Sequence, residues 1–309
     1  MSDQMVFERM ALVGIGNLGS SIARAVRERG LVRTLAVADQ SDEARRRAAE
    51  LGLADAFFEN PADAVKDADV VVICTPIGTY GTIAKVIAPH LKPGAVLTDI
   101  GSVKQAVVAA VQPHLPAGVH FIPGHPIAGT EKSGPDAGSG ALFEGRFWIL
   151  TPPEGADPAA VAKLGTLWTR CGAIVEELPA DYHDKVLAVT SHLPHLIAYT
   201  IVGTAFDLEG QEQRDVIRFS AGGFRDFTRI AGSNPIMWRD IFLNNREAVL
   251  EMLQRFSEDL SYLQRAIRWG EGDKLEELFT KTREIRQGVV EANQARPFPY
   301  GNAGNGNGK

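Results

Sequence analysis

Cysteine is nearly absent: the 309 residues hold two, Cys74 and Cys171. They lie far apart, each beside an apolar run, so buried free thiols are expected rather than a disulfide framework or a thiol nucleophile. Positive charge is not in excess. Lys and Arg number 32 against 38 Asp and Glu, a formal net charge of −6, which argues against a nucleic-acid partner. No apolar run approaches the ~18 residues of a membrane span, and no signal peptide precedes the first apolar run. No membrane partner is expected, and a reducing cytoplasm is the simplest home. Internal repeats are missing as well. What remains is ordinary for a soluble globular protein, at 45% hydrophobic and 23% charged residues. The length suggests two domains.

Residues 1–9 are polar and read as a frayed or edge extension. Met10 to Val13 is an apolar run that feeds into Gly14-Ile15-Gly16-Asn17-Leu18-Gly19. A helical pattern follows over Ser20 to Arg29, then a second apolar run, Leu35 to Ala38, ending on Asp39. This is the strand, glycine turn, helix, strand, acid order of a dinucleotide-binding fold. Gly14 allows the tight turn, Gly16 lets the backbone approach a pyrophosphate at the helix N-terminus, and Gly19 permits close helix–strand packing. Asp39 stands 20 residues after Gly19, where a carboxylate accepts hydrogen bonds from ribose hydroxyls and repels a 2′-phosphate. NAD is therefore expected over NADP. Arg45 to Arg47 stand nearby and read as a solvated helix face.

Asp69 to Cys74 is a near-continuous apolar run, as for a strand buried on both faces of a parallel sheet. It breaks at Thr75-Pro76, where a loop would cross the cofactor. Ala95 to Ile100 is the next strand. Strand-end loops face the ligand crevice, so Thr75, Ser102 and Lys104 are candidates to line the nicotinamide half. Ser102 is also placed to cap a helix over Val103–Val111. His120 to Pro123 reads as a strand with Gly124-His125-Pro126 at its end. Residues 130–146 read as a loop near the substrate. Strands are expected over Phe147–Thr151 and Ala173–Glu177, with a helix over Ala159–Arg170 between them.

After residue 178 the pattern becomes helical. Asp181 to Phe206 reads as one long helix that Pro194 kinks or breaks. Gly222 to Arg229 reads as a glycine-rich turn running into a charged segment. Ser233-Asn234-Pro235 is a helix start. Val249, Leu253, Phe256, Leu260, Leu263 and Ile267 then step by 4, 3, 4, 3, 4, a heptad-like seam on a helix of about 30 residues. A helix that long implies a homodimer interface, although packing within the monomer is the alternative. Asp273 to Glu291 is a final helix. The expected fold is thus an α/β Rossmann-type dinucleotide-binding domain over 1–178, followed by an all-α substrate and dimerisation domain over 179–295. Residues 296–309 are too polar and glycine-rich to fold alone.

An NAD-linked dehydrogenase needs a base for a hydroxyl proton and cations for substrate carboxylates. His125 is the best base, since imidazole titrates near neutrality. Glu131 could orient it or a substrate group; a surface carboxylate is the alternative. His192 and His195 share a helix face unless Pro194 disrupts it. They suit substrate binding, with buried structural histidines as the alternative. No third and fourth ligand of comparable spacing accompanies them, so no metal is expected. Arg225, Arg229 and Arg239 offer bidentate carboxylate pairing, and Asp226 could buttress Arg229.

GIGNLG, TPIGTY, TDIGSVK, GHPIAGTEKSG, VTSHLPH and FRDFTRIAGSNPIMWRDIF together resemble the TyrA family of prephenate/arogenate (cyclohexadienyl) dehydrogenases. The resemblance runs from about residue 10 to about residue 290, and its later motifs are more specific than the glycine fingerprint. It implies oxidative decarboxylation on the route to tyrosine: NAD+ takes a hydride from the ring carbon bearing the hydroxyl, CO2 leaves, and the ring becomes aromatic. By motif match, His125 accepts the hydrogen bond and then the proton of the ring hydroxyl. Arg229 holds the ring carboxylate, and Ser102 sits between nicotinamide and histidine. Thr130, Glu131, His192, His195, Asp226 and Trp238 match other pocket positions. Some members carry a chorismate mutase or an ACT regulatory domain. Here the nucleotide fold starts by residue 10 and the last helix ends near 291, so neither is expected, and tyrosine feedback would act at the active site.

Two rivals remain. A beta-hydroxyacid dehydrogenase would use a lysine early in the second domain, and Lys185 is available. A non-catalytic NAD-binding sensor would bind cofactor without turnover.

Overall fold

The structure is a computed structural model and describes residues 5–129, 132–207 and 210–291. The first half alternates strand and helix: β1 Phe7–Val13, α1 Asn17–Glu28, β2 Val32–Ala38, α2 Asp42–Glu50, β3 Ala56–Phe58, α3 Pro61–Ala64, β4 Val70–Ile73, α4 Tyr80–Ile87, β5 Val96–Asp99, α5 Lys104–Val111 and β6 His120–Phe121. These six strands form one parallel sheet in the order β3-β2-β1-β4-β5-β6. The order reverses between β1 and β4, which opens a ligand crevice at their carboxyl ends. β1 begins at Phe7, earlier than expected, because its residues pair with β2 from Phe7↔Val32 onward. β3 has no counterpart in the sequence reading. At three residues it is too short to show a period.

A second sheet follows. β7 Gly124–Pro126 pairs antiparallel with β8 Phe147–Leu150, which pairs parallel with β9 Ile174–Glu177 across α6 Pro158–Arg170. His125 is therefore a strand residue opposite Ile149, not part of a loop at the end of a strand. Trp148 stacks on Trp168 of α6 at 3.7 Å and 9°, so β8 and α6 are joined by an aromatic pair. α6 opens on the Asp157 side chain, which accepts from Ala159 N, with Pro158 in the first turn.

The remainder is helical: α7 Ala180–Leu187, α8 Leu193–Phe206, α9 Gly210–Phe219, α10 Gly222–Thr228, α11 Pro235–Asn244, α12 Arg246–Trp269 and α13 Gly272–Glu291. α7 and α8 are joined by a π-helical turn, Ala188–His192. Pro194 thus neither breaks nor sharply ends the run. The wider π turn precedes it, and Pro194 falls in the first turn of α8, where no backbone donor is needed. The continuous helical stretch Ala180–Phe206 spans 27 residues and, by length and composition only, is apolar enough to cross a membrane. That differs from the expectation of no such run. The difference arises because Thr190, Ser191, His192 and His195 interrupt the apolar residues without lowering the mean hydropathy enough to exclude the stretch; ahead of them Asp184, 1% exposed, accepts hydrogen bonds from Lys104 N and Gln105 N of α5.

Gly222–Thr228 forms helix α10 and Arg229–Gly232 a 3₁₀ turn, where a glycine-rich turn was expected. Asn234 caps α11 by accepting from Ile236 N and Met237 N. The long helix is two, α11 and α12, meeting at Asn245. The chain divides into two compact units between Met252 and Leu253, inside α12. The polar tail expected over 296–309 lies outside the described residues.

Gly19 admits no side chain: a Cβ there would land against the backbone oxygen of Gly14, deep inside contact distance. Gly19→Ala should cost about 1–3 kcal/mol as an overpacking change and weaken NAD binding. Thermal unfolding with and without NAD reads both. An unchanged melting temperature would show that the helix does not need this approach.

Candidate active site

The glycine turn sits where β1 meets α1. Gly14 takes φ 103°, a conformation open to glycine, and a Cβ there would meet Cys74 O and Thr75. The fingerprint is thereby packed against the Thr75-Pro76 loop. Gly16 faces open space, and α1 has no side-chain cap. Its first turn is thus suited to a pyrophosphate, which would hydrogen-bond the exposed amides. Leu18 is half-buried and Ile15 buried. Asp39 closes the crevice: its carboxylate accepts from Ile15 N at 2.9 Å and Ser41 N at 2.9 Å. The acid is held at the ribose position by the loop it follows. Arg45 is not solvated. It donates to Asp39 O at 2.6 Å and pairs with Asp42 at 3.1 Å.

The Gly-rich segment beyond His125 docks on the nucleotide-binding helices. Asn17 Nδ2 donates to Lys132 O, Ser139 N donates to Ser21 Oγ, and Arg47 chelates Asp136. Thr130 and Glu131 lie outside the described residues.

On the other side of the crevice, β5 ends in a buried cluster. Asp99 and Lys104, both fully buried, pair at 2.6 Å. Asp99 also accepts from Gly101 N and Gly124 N, and Lys104 Nζ donates to Gly124 O at 2.6 Å. Lys104 therefore does not line the nicotinamide crevice as expected; it anchors the strand that carries His125. Ser102 is half-buried on the loop between Asp99 and α5. It does not cap α5: the Asp184 carboxylate takes Lys104 N at 2.7 Å and Gln105 N at 2.9 Å instead.

His125 is 9% exposed, and its Nδ1 lies 2.9 Å from His183 Nε2. His183 Nδ1 lies 2.8 Å from Asp184 Oδ1. Burial first, then the neighbouring His183, Lys104 and His192, push the His125 imidazole well below its ordinary value. Burial likewise lowers His183, against the opposing Asp184 carboxylate. At neutral pH the His125 ring is neutral and able to accept a proton.

His192 comes from the π turn and is fully buried. Asn245 Nδ2 donates to its Nδ1 at 3.0 Å and to Asp184 O at 2.9 Å, so His192 Nε2 carries the hydrogen. Burial lowers His192 to about 4. His195 stacks on Trp238 at 3.6 Å, with Nδ1 bonded to Ser191 O at 2.9 Å. Burial and the charge of Arg229 lower it, against the Ser191 bond. Trp238 packs with Val103 and Ile241, which brings α11 beside the loop that carries Ser102. Arg229 and Asp226 are exposed, on the 3₁₀ turn and α10. Exposed Arg239 pairs with half-buried Asp240 at 2.7 Å, and Lys185 with Asp181 at 3.9 Å, both of the latter exposed. The structure thus gathers the fingerprint, Asp39 and Thr75 on one side, and His192, His195, Trp238 and Arg229 on the other. His183, Asp184 and Asn245 were missed. Their one signal was a His-Asp pair opening an apolar helix. Among the described residues no cluster of His, Cys, Asp or Glu could hold a metal ion. Both cysteines are free. Burial pushes the Cys171 thiol up to about 12 and raises Cys74 further, so neither is a nucleophile.

Two family models match: the nucleotide-binding domain of prephenate dehydrogenase over residues 22–177 and its dimerization domain over 179–281. The chain is 40% identical to the cyclohexadienyl dehydrogenase of Zymomonas mobilis, over 94% of this chain and 99% of that protein. It is 34% identical to the prephenate dehydrogenase of Bacillus subtilis, over 91% of this chain and 76% of that one. The crystal structure of prephenate dehydrogenase from Aquifex aeolicus, in complex with hydroxyphenyl propionate and NAD+, superposes with a TM-score of 0.85 at 35% identity. It covers 91% of this chain and 98% of that one.

His125, His183 and His192 are all neutral when folded and titrate near 6.5 when unfolded. Below that value the unfolded chain binds more protons, so stability is full above pH 6.5 and is lost as pH falls. His192 alone should lose about 2 kcal/mol between pH 8 and pH 5. Urea midpoints at the two pH values measure it. A flat profile would mean that the histidines are hydrated in solution.

Proposed function

The chain belongs to the prephenate dehydrogenase family, and from that premise we propose that it oxidatively decarboxylates prephenate, arogenate or both on the route to tyrosine. It is an NAD-dependent dehydrogenase. The observation that carries the reading is His125: a buried neutral imidazole on a strand anchored by Asp99 and Lys104, beside the loop bearing Ser102.

In this reading the cofactor, when bound, supplies the hydride acceptor. Residues 1–178 hold it, with Gly14 to Gly19 at the pyrophosphate, Asp39 at the ribose, and Thr75, Pro76 and Ser102 at the nicotinamide half. The engagement of Asp39 by loop amides favours NAD over NADP, because the fixed carboxylate repels a 2′-phosphate. His125 takes the proton of the ring hydroxyl as the hydride leaves its carbon. The C–C bond to the ring carboxylate breaks, CO2 departs, and the ring electrons close to a phenolate. His125 returns the proton to that oxygen, so no net proton is released. Arg229 binds the ring carboxylate. Thr130, Glu131, Asp226 and Trp238 complete the pocket, where His192 offers an N–H donor and His195 an Nε2 acceptor.

Residues 179–295 form the substrate and dimerisation part. A homodimer is supported by exposed apolar residues along these helices, among them Ile201, Phe206, Ile236, Leu243 and Leu250. The free thiols suit a cytoplasmic enzyme. The exposed, Asp181-paired Lys185 does not favour the beta-hydroxyacid dehydrogenase alternative.

NAD+ reduction with prephenate and arogenate offered separately tests the reaction. His125→Asn should lower kcat by about 10²–10⁴ with NAD affinity kept. Arg229→Ala should raise substrate KM far more than NAD KM. Equal loss of both affinities would contradict the carboxylate role, and absence of turnover with either substrate would sink the assignment.

A further inference from the structure

The proposed reaction needs a lone pair on the side of His125 that faces the substrate. A neutral imidazole has one N–H and one bare nitrogen, and the partner of one nitrogen decides the state of the other. The Asp184 carboxylate accepts hydrogen bonds only, from Lys104 N, Gln105 N and His183 Nδ1. His183 must therefore carry its hydrogen on Nδ1, which leaves its Nε2 bare. His125 Nδ1 lies 2.9 Å from that bare nitrogen and must carry the hydrogen. The lone pair of His125 then falls on Nε2.

We propose that His183 and Asp184 are positioning residues that hold His125 in its Nδ1–H tautomer, presenting Nε2 as the acceptor of the substrate hydroxyl proton. The inference rests on the assignment of His125 as the base. When His125 gains the proton, its Nδ1–H still donates to His183, whose Nδ1–H still donates to Asp184. The carboxylate stabilises the imidazolium through one intervening ring and is not itself protonated. Asp184 has a second duty. It holds the first amides of α5, directly after the Ser102 loop, so one carboxylate sets both the tautomer of the base and the start of the helix beside the nicotinamide crevice. The charged and titratable groups bearing on His125 are His183 from α7, Lys104 from α5 and His192 from the π turn, while Asp184 and Asp99 bear on His183.

Imidazole ¹⁵N resonances of the full-length protein, assigned by their loss in His125→Asn, read the tautomer without turnover. The expected wild-type state has a protonated Nδ1 and a bare Nε2. His183→Phe removes the acceptor and should abolish that preference and lower kcat about 10²-fold, the lower end of what a positioned base supplies. Substrate and NAD KM should change little. His183→Gln places an amide oxygen near the lost Nε2 and should recover the tautomer and most of the rate. A wild-type His125 with the hydrogen on Nε2 overturns the proposal. So does a His183→Phe enzyme with wild-type kcat and tautomer, or equal loss in Phe and Gln variants that both stay folded. Should His183→Phe fail to fold, the wild-type tautomer and the Gln variant still decide. If neither prephenate nor arogenate is turned over, the functional reading fails, and the tautomer measurement stands apart from it.

Discussion

Asp99 and Lys104 meet at 2.6 Å with no exposure to water. Removing two charges from solvent is costly, and such a pair persists only when further hydrogen bonds complete both partners. Here the completing groups come from elsewhere in the chain. Gly101 and Gly124 donate to the carboxylate, and the ammonium donates to Gly124 O. The end of β5, the Ser102 loop, the start of α5 and the strand carrying His125 are thereby registered against one another. Breaking such a pair by removing one partner typically costs about 3–5 kcal/mol. The geometry of the proposed base, His125, is thus tied to a contact the fold cannot easily give up.

The same cation acts on the chemistry. Lys104 is one of the groups that hold His125 below its ordinary value, after burial and His183. A base kept neutral by its surroundings is ready to accept at neutral pH but pays for that readiness in driving force, since it is a weaker base than a solvated imidazole. In the proposed relay the Asp184 carboxylate, one ring removed, would offset part of this once the imidazolium forms. Positioning and charge control are the two things the proposed reaction asks of a protein, because aromatisation would supply the downhill step.

What could be read from the sequence divides along physical lines. The glycine turn, Asp39 and the strands of the parallel sheet were legible because their requirements are local: a positive φ at Gly14, a close approach at Gly19, apolar runs for strands covered on both faces. His125 was legible as a residue type in a strand-end context, though its actual place in a second sheet was not. Lys104 was misplaced because a lysine after a strand reads as a ligand contact. Nothing local announces that it pairs with Asp99 and is buried. His183 and Asp184 were missed for a related reason, as their partners lie 58 and 80 residues away. The π turn was hidden behind Pro194, which reads as a helix breaker but fits the first turn of α8 once the preceding turn widens.

The helical part poses the remaining question of burial. Only 22% of the apolar window within Ala180–Phe206 is covered in the single chain, and its buried members include His192, with His183 and Asp184 just ahead of it. Asp184 and His183 face α5 and His125, while Val189, Ile201 and Phe206 are exposed. One helical run therefore carries buried, hydrogen-bonded polar groups turned to α5 and His125 together with apolar side chains left exposed. Exposed contiguous apolar surface calls for a partner. A second copy of the same helices, meeting them in an isologous contact, is the partner proposed above for these exposed side chains. The cost of burying the Asp184 charge is offset by the hydrogen bonds it accepts from Lys104 N, Gln105 N and His183 Nδ1, the same bonds that carry the proposed tautomer of His125.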